Sequence, residues 1–160
     1  MAKGKGKRKA ASGDVATNRQ AGHRYLLLER IESGIVLTGT EVKSLREGKA
    51  QLKDSYALIR DGEVWLVGVY IPPYGPAARD NHDPERERKL LLHGREIARL
   101  NSKTAERGWT LVPTRLYFRD GRAKVEIALA RGKDTHDKRD SIRERDVARD
   151  VARELRDAMR

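Results

Sequence analysis

A small antiparallel β-barrel with a few short helices is the fold class this sequence predicts, and three observations carry it. Short apolar runs with strand-like alternation recur through the middle of the chain. Two of the gaps between such runs are Asp-Gly pairs, the turn chemistry of tight hairpins. Helical patterns are few and short, so helices decorate the sheet and do not build the core.

In chain order, residues 1–17 read as a flexible arm, because 1–13 hold five basic and no acidic residues among Gly, Ala and Ser. A first strand falls at residues 24–30, around Tyr25-Leu26-Leu27-Leu28, and a second short one at 34–37. Thr38-x-x-Glu41 has the form of a capping box for a helix over 40–47, with Val42 and Leu45 on one face and Gly48 as the stop. Next comes a hairpin, KDSYALIR and EVWLVGVYI around Asp61-Gly62. The stretch NHDPERERKLLLH carries conflicting signals: Asp83-Pro84 suits a helix start, whereas residues 89–92 equally form a short buried strand. A second helix follows over about 94–107, with Gly108 after its end. A second hairpin pairs TRLYF with AKVEIALA around Asp120-Gly121, and Pro113 marks an edge or a bulge at its start. Five or six strands with one or two helices inserted suit a Greek-key barrel of the oligonucleotide/oligosaccharide-binding type; a small α+β sandwich is the competing architecture.

The last segment, residues 131–160, has ten basic and eight acidic residues and little to bury. It cannot offset its ordering entropy alone, so disorder when free is expected. It still holds a helical stripe, Val147, Val151, Leu155 and Met159, and therefore reads as a tail that becomes helical against a partner. The division expected is an arm over 1–17, a barrel over 18–130 and a tail over 131–160.

The net charge of +11, from 35 basic and 24 acidic residues, is positive in arm, barrel and tail alike. That distribution points to a polyanionic partner, with nucleic acid foremost. Zero cysteines exclude disulfides, thiol catalysis and Cys-containing zinc sites. The basic N-terminus has no apolar stretch of a secretory signal and no run suits a membrane span, so a cytoplasmic location is expected. His23, His82, His93 and His136 form no two-His metal pair, and no phosphate-binding GxxxxGK[ST] loop is present. His82-Asp83 with Glu85 and Glu87 is the nearest catalytic-looking cluster, but interleaved Pro84, Arg86 and Arg88 make it read as a turn and a salt-bridged surface. No enzyme and no cofactor are expected. The eight aromatics lie mostly inside expected strands, where core packing is the better reading; this disfavours unstacked bases and favours a folded RNA read by shape, phosphates and 2′-hydroxyls.

Several long strings then stand together: NRQAGHRY, SGIVLTGTEVKSLREGKAQLKDSYA, GEVWLVGVYIPPY, NHDPERERKLLLHGREI, TLVPTRLYF, and KVEIALARGK followed by HDKR. In order and spacing they closely resemble the transfer-messenger-RNA-binding family of bacteria, also called SsrA-binding protein or small protein B. The resemblance runs from about residue 18 to the C-terminus. It departs from the family's usual residues at Gln20, Gly22, Arg24, Gly94 and Asp134-Thr135.

The resemblance implies an oligonucleotide-binding barrel that binds the tRNA-like domain of transfer-messenger RNA and brings it to stalled ribosomes. The RNA would arrive charged with alanine, in complex with elongation factor Tu. The tail would replace codon–anticodon pairing in the decoding centre and lie as a helix in the empty message channel. By motif, the RNA contacts implied are Asn18, Arg19, His23, Tyr25, Glu32, Lys43, Arg46, Lys89, Leu91, His93, Lys124, Arg131 and Lys133. His136, Asp137, Lys138 and Arg139 match the decoding-centre motif, and Arg145, Arg149 and Arg153 would meet rRNA phosphates along the channel helix. A general RNA-binding barrel and a magnesium-dependent RNA enzyme are the two other classes compatible with the composition.

Overall fold

The computed structural model describes residues 14–132 and 135–159, with the side chains of 135–142 and 144 left aside. Lys133 and Arg160 lie outside the described residues, as does the arm over 1–13.

The described residues form seven strands: β1 (Asp14–Thr17), β2 (Tyr25–Ile35), β3 (Tyr56–Arg60), β4 (Glu63–Val67), β5 (Arg88–Leu91), β6 (Trp109–Arg119) and β7 (Arg122–Gly132). Among the described residues there are also four α-helices, α1 (Ala21–Arg24), α2 (Gly39–Arg46), α3 (Gly94–Thr104) and α4 (Thr135–Ala158), the last after β7, and a 3-10 segment over Gly75–Asp80. All pairings are antiparallel, and the ladder β6-β3-β4-β5-β2-β7 closes through β6–β7 into a barrel. Closure leaves one seam weak, since β3 meets β6 through Ala57 opposite Leu111 alone. β1 adds outside the ring on β6, four residues inside the stretch expected to be arm.

Both Asp-Gly turns form as their chemistry requires. Arg60 pairs with Glu63, leaving Asp61 and Gly62 as a two-residue loop with φ of 53° and 73°. Arg119 pairs with Arg122, with Asp120 and Gly121 at 51° and 75°. Two positive φ angles in succession define the turn whose twist matches the flanking strands. Pro113 sits at a bulge: the β6–β7 register slips between Pro113 and Arg115, which accommodates a residue without an N–H inside an otherwise paired strand.

The two short strands expected at 24–30 and 34–37 are one strand, β2, long enough to pair with β7 over most of its length and with β5 at its end. Residues 88–91 resolve to a strand, and the second helix stops at Thr104. The tail, expected to hold a helix against a partner and to be disordered when free, is helical over Thr135–Ala158. Its described residues from Arg145 to Ala158 are exposed, and Arg156 Nε donates to the Ala152 carbonyl one turn back.

The barrel is filled by Val64, Leu66, Leu90, Leu111, Leu116, Val125 and Ile127, each 0–1 % exposed. Leu45 from α2 and Leu100 from α3 enter the same core. Each such side chain contributes about 1.5–3 kcal/mol of burial. A second, smaller cluster of Ala21, Val112 and Ala130 docks α1 on the outer wall, with Tyr25 and Leu27 against it.

One expectation is overturned inside the charged stretch 81–93. Arg60 and Glu87 do form an exposed ion pair, but Arg88 is fully buried. It donates from Nε to Glu41, also fully buried, and from its Nη groups to the carbonyls of Val69 (2.8 Å) and Pro84 (3.1 Å). Strand alternation decides this: Arg88 and Leu90 point inward while Lys89 and Leu91 point out.

Candidate nucleic-acid interface

Two groups of candidate residues lie at opposite ends of β2. From Tyr25 to Glu32 is seven residues, roughly 23 Å at the usual rise of a strand.

The first group surrounds α1. The Asn18 amide nitrogen donates to the carbonyls of Pro113 (3.0 Å) and Leu52 (3.5 Å), and its backbone N–H donates to Thr114 (2.7 Å). Asn18 is thus an anchor that holds the β1–α1 link on β6. Arg19 and His23 are exposed; His23 Nδ1 lies 3.2 Å from Arg145 on α4. Tyr25 is half-buried, and Arg131 sits with its guanidinium 5.9 Å from the ring centre of Trp109. A cleft of about 320 Å³ opens here between Tyr25, Tyr56 and Thr110, flanked by the 2.6 Å ion pair Arg24–Asp54.

The second group is organised by Gly34. In register, Gly34 faces Lys124 of β7 on one side and Leu91 of β5 on the other. Cross-strand partners share a face, and Glu32, two residues earlier on β2, points the same way. Glu32, Lys124 and Leu91 are therefore gathered on the outer wall around a residue with no side chain. A Cβ at Gly34 would meet that of Leu91 at 3.2 Å, so glycine is what lets Leu91 lie there. Leu91 is 53 % exposed, which a core role would not leave. His93, two residues on, is the N-cap of α3, and with Glu32, Leu91 and Lys124 it lines a cleft of about 340 Å³.

Lys43 and Arg46 are exposed on α2, and Val42 of that helix lines a neighbouring cleft of about 310 Å³ that shares Gly34, Leu91 and Lys124. Lys43 stands 5.7 Å over the Tyr74 ring. Lys89 faces outward as well, but its ammonium is engaged by Glu63 at 2.9 Å. Arg145, Arg149 and Arg153 are exposed on α4. His136, Asp137, Lys138 and Arg139 fall in the first turns of that helix.

Residues absent from the sequence-based set matter too. Tyr117 donates its hydroxyl to Glu32 Oε2, and Arg119 donates to the same oxygen at 3.1 Å. The Tyr117 bond, opposed by partial burial and reinforced by Arg119, holds the Glu32 carboxyl below the usual carboxylate range. Burial, then donation to Glu32, pushes the Tyr117 phenol up to about 12. Arg119 and Arg122 flank the second Asp-Gly turn, and that pattern was the available signal for them. Of the aromatics, Tyr117 is buried; Tyr56 is 44 % exposed and the remainder are half-buried, so the expectation of core packing holds only in part. Among the described residues no three His, Asp or Glu side chains are grouped to hold a metal, and no helix is long and apolar enough to cross a membrane.

The arrangement suits a polyanion at both ends of β2, with a fixed carboxylate acceptor at one of them. Comparison with known proteins agrees on a family. Residues 15–157 match the family model described as SmpB protein. The chain is 56 % identical over 142 residues to the SsrA-binding protein of Sulfurihydrogenibium sp. (strain YO3AOP1), covering 89 % of this chain and 93 % of that one. It is 52 % identical over 161 residues to the SsrA-binding protein of Mycolicibacterium paratuberculosis (strain ATCC BAA-968 / K-10), covering 97 % and 95 %. A solved structure described as "tmRNA-SmpB: a journey to the center of the bacterial ribosome" matches with a TM-score of 0.65 and 48 % identity, over 80 % of this chain and 94 % of that one.

Proposed function

The chain belongs to the SmpB family, and from that premise we propose that it binds the tRNA-like domain of transfer-messenger RNA and acts with it in the rescue of stalled ribosomes. The observation that carries this reading is the extent of the family match, which runs through the barrel and on through α4 to residue 157. Barrel and tail thus belong to one functional unit.

In this reading the barrel holds the RNA and the tail holds the ribosome. Glu32, Leu91, His93 and Lys124 form one RNA-binding surface, with Lys43, Arg46 and Lys89 beside it. Asn18, Arg19, His23, Tyr25 and Arg131 form another, and Lys133, outside the described residues, is assigned to it by motif. His136, Asp137, Lys138 and Arg139 occupy the decoding centre, where codon–anticodon pairing is missing. The 24 residues of α4 then extend about 36 Å at 1.5 Å per residue, a rod suited to an empty message channel. Arg145, Arg149 and Arg153 meet rRNA phosphates along it. The cargo is the alanyl form of the RNA with elongation factor Tu.

A competition binding assay tests the function. The full-length protein is offered transfer-messenger RNA against ordinary tRNA and an unrelated structured RNA. Preference for transfer-messenger RNA is expected; equal competition by all three would replace this reading with a general RNA-binding barrel.

A further inference from the structure

A carboxylate on an RNA-binding face repels phosphates unless its oxygens are aimed at donors. Glu32 stands in a cleft of about 530 Å³ with Asp120, Arg119, Arg122 and Lys124, so three cations outweigh the two carboxylates and the surroundings attract a polyanion that Glu32 alone would turn away. Both hydrogen bonds to Glu32 fall on Oε2, from Tyr117 and from Arg119. Oε1 has no hydrogen-bond partner among the described residues.

The two donors differ in rigidity. The Arg119 side chain is 65 % exposed, and a solvated ion pair of that kind holds geometry weakly. Tyr117 is 7 % exposed, on the well-paired strand β6. The guanidinium of Arg115 covers its ring at 4.3 Å, and Arg115 is itself held by Glu126 (2.9 Å) and Asp14 (3.2 Å). The phenol hydroxyl is therefore the fixed point against which the carboxylate is set.

We infer that Tyr117 is a positioning residue for RNA recognition: its hydroxyl orients Glu32 so that Oε1 meets an N–H or 2′-hydroxyl donor of the RNA, while Arg122 and Lys124 take flanking phosphates. The inference rests on the RNA-binding function proposed above. Cations alone attract any nucleic acid, whereas an acceptor locked among them rewards a donor and penalises a phosphate placed there. The phenol, with its pKa pushed up to about 12, stays a donor, and Glu32, held below the usual range, stays an acceptor.

The test is a double-mutant cycle in the full-length protein, read as affinity for transfer-messenger RNA and for ordinary tRNA. Tyr117→Phe keeps the ring under Arg115 and removes only the hydroxyl. It is expected to weaken transfer-messenger RNA binding about fivefold, the effect of one hydrogen bond, while tRNA binding is unchanged. In a Glu32→Ala background the same change is expected to add nothing. A merely structural role for Tyr117 would instead weaken both RNAs and multiply with Glu32→Ala. If Tyr117→Phe lowers the unfolding midpoint, the four proteins are compared at a temperature where all are folded, and the cycle still separates the two roles. A wild-type protein that prefers transfer-messenger RNA, with a silent or multiplicative Tyr117→Phe, overturns the positioning role alone. A wild type with no preference overturns the proposed function and the positioning role together.

Discussion

Arg88 on β5 donates from Nε to Glu41 on α2, and neither side chain has any solvent exposure. Glu41 also accepts from Arg86 Nη2 and from the Thr38 N–H at 2.9 Å, so the acid that caps α2 is the one that ties the helix to the barrel. Each remaining polar group of Arg88 reaches a backbone carbonyl of the 69–84 segment, so strand, helix and loop meet at one buried pair.

Removing one partner strands a buried charge. Glu41→Ala is expected to cost about 3–5 kcal/mol, because Arg88 is left uncompensated in the interior. Replacing Glu41 and Arg88 together by Leu and Met should cost clearly less than the sum of the single changes. Denaturant unfolding of the two single variants and the double variant measures this; additive losses would mean the pair is not coupled.

Acid should weaken the fold through the same carboxylate. Burial raises the Glu41 pKa, but the hydrogen bonds from Thr38, Arg86 and Arg88 outweigh it, leaving the folded value below the ordinary 4.5. Below about that pH the unfolded chain takes up a proton that the folded chain refuses, so stability is full above it and falls as pH drops toward the folded value. Denaturation midpoints between pH 6 and 3 should fall on the acid side, and less steeply in Glu41→Gln. An identical slope in that variant would place the acid sensitivity on other carboxyls.

RNA binding should respond strongly to salt, since Lys and Arg contacts release counterions from phosphates. The logarithm of affinity is expected to fall linearly with the logarithm of salt concentration. Lys124→Ala should reduce that slope by about one contact, whereas Tyr117→Phe should leave it unchanged. A flat response for the wild type would contradict the phosphate-binding face.

Truncation after Asp134, just before α4, should separate the two halves of the function. Among the described residues no α4 side chain is part of the barrel core, so the shortened chain is expected to fold and to bind transfer-messenger RNA within about threefold of the full protein, while tagging of stalled products is lost. Replacing Asp137, Lys138 and Arg139 by Ala should behave the same way. Loss of RNA affinity by a factor of about ten, roughly 1.4 kcal/mol, would move the tail onto the RNA-binding surface.

By itself the sequence determined what is local. The two Asp-Gly hairpins and the Thr38–Glu41 capping box are each settled by a few neighbouring residues, through positive φ angles or a capped N–H, whereas Pro113 left an edge or a bulge open. The strings of the family pattern likewise stood in plain order along the chain. Only the tertiary structure decided what joins distant segments. Glu41 and Arg88 are 47 residues apart, and Glu32 and Tyr117 are 85 apart. Which residues meet across such gaps depends on strand register, and register comes from closing the barrel around its core. That is why Arg88 could read as surface and prove buried, why Tyr117 could read as core and prove to hold Glu32, and why Gly34, silent in the sequence, stands between Lys124 and Leu91.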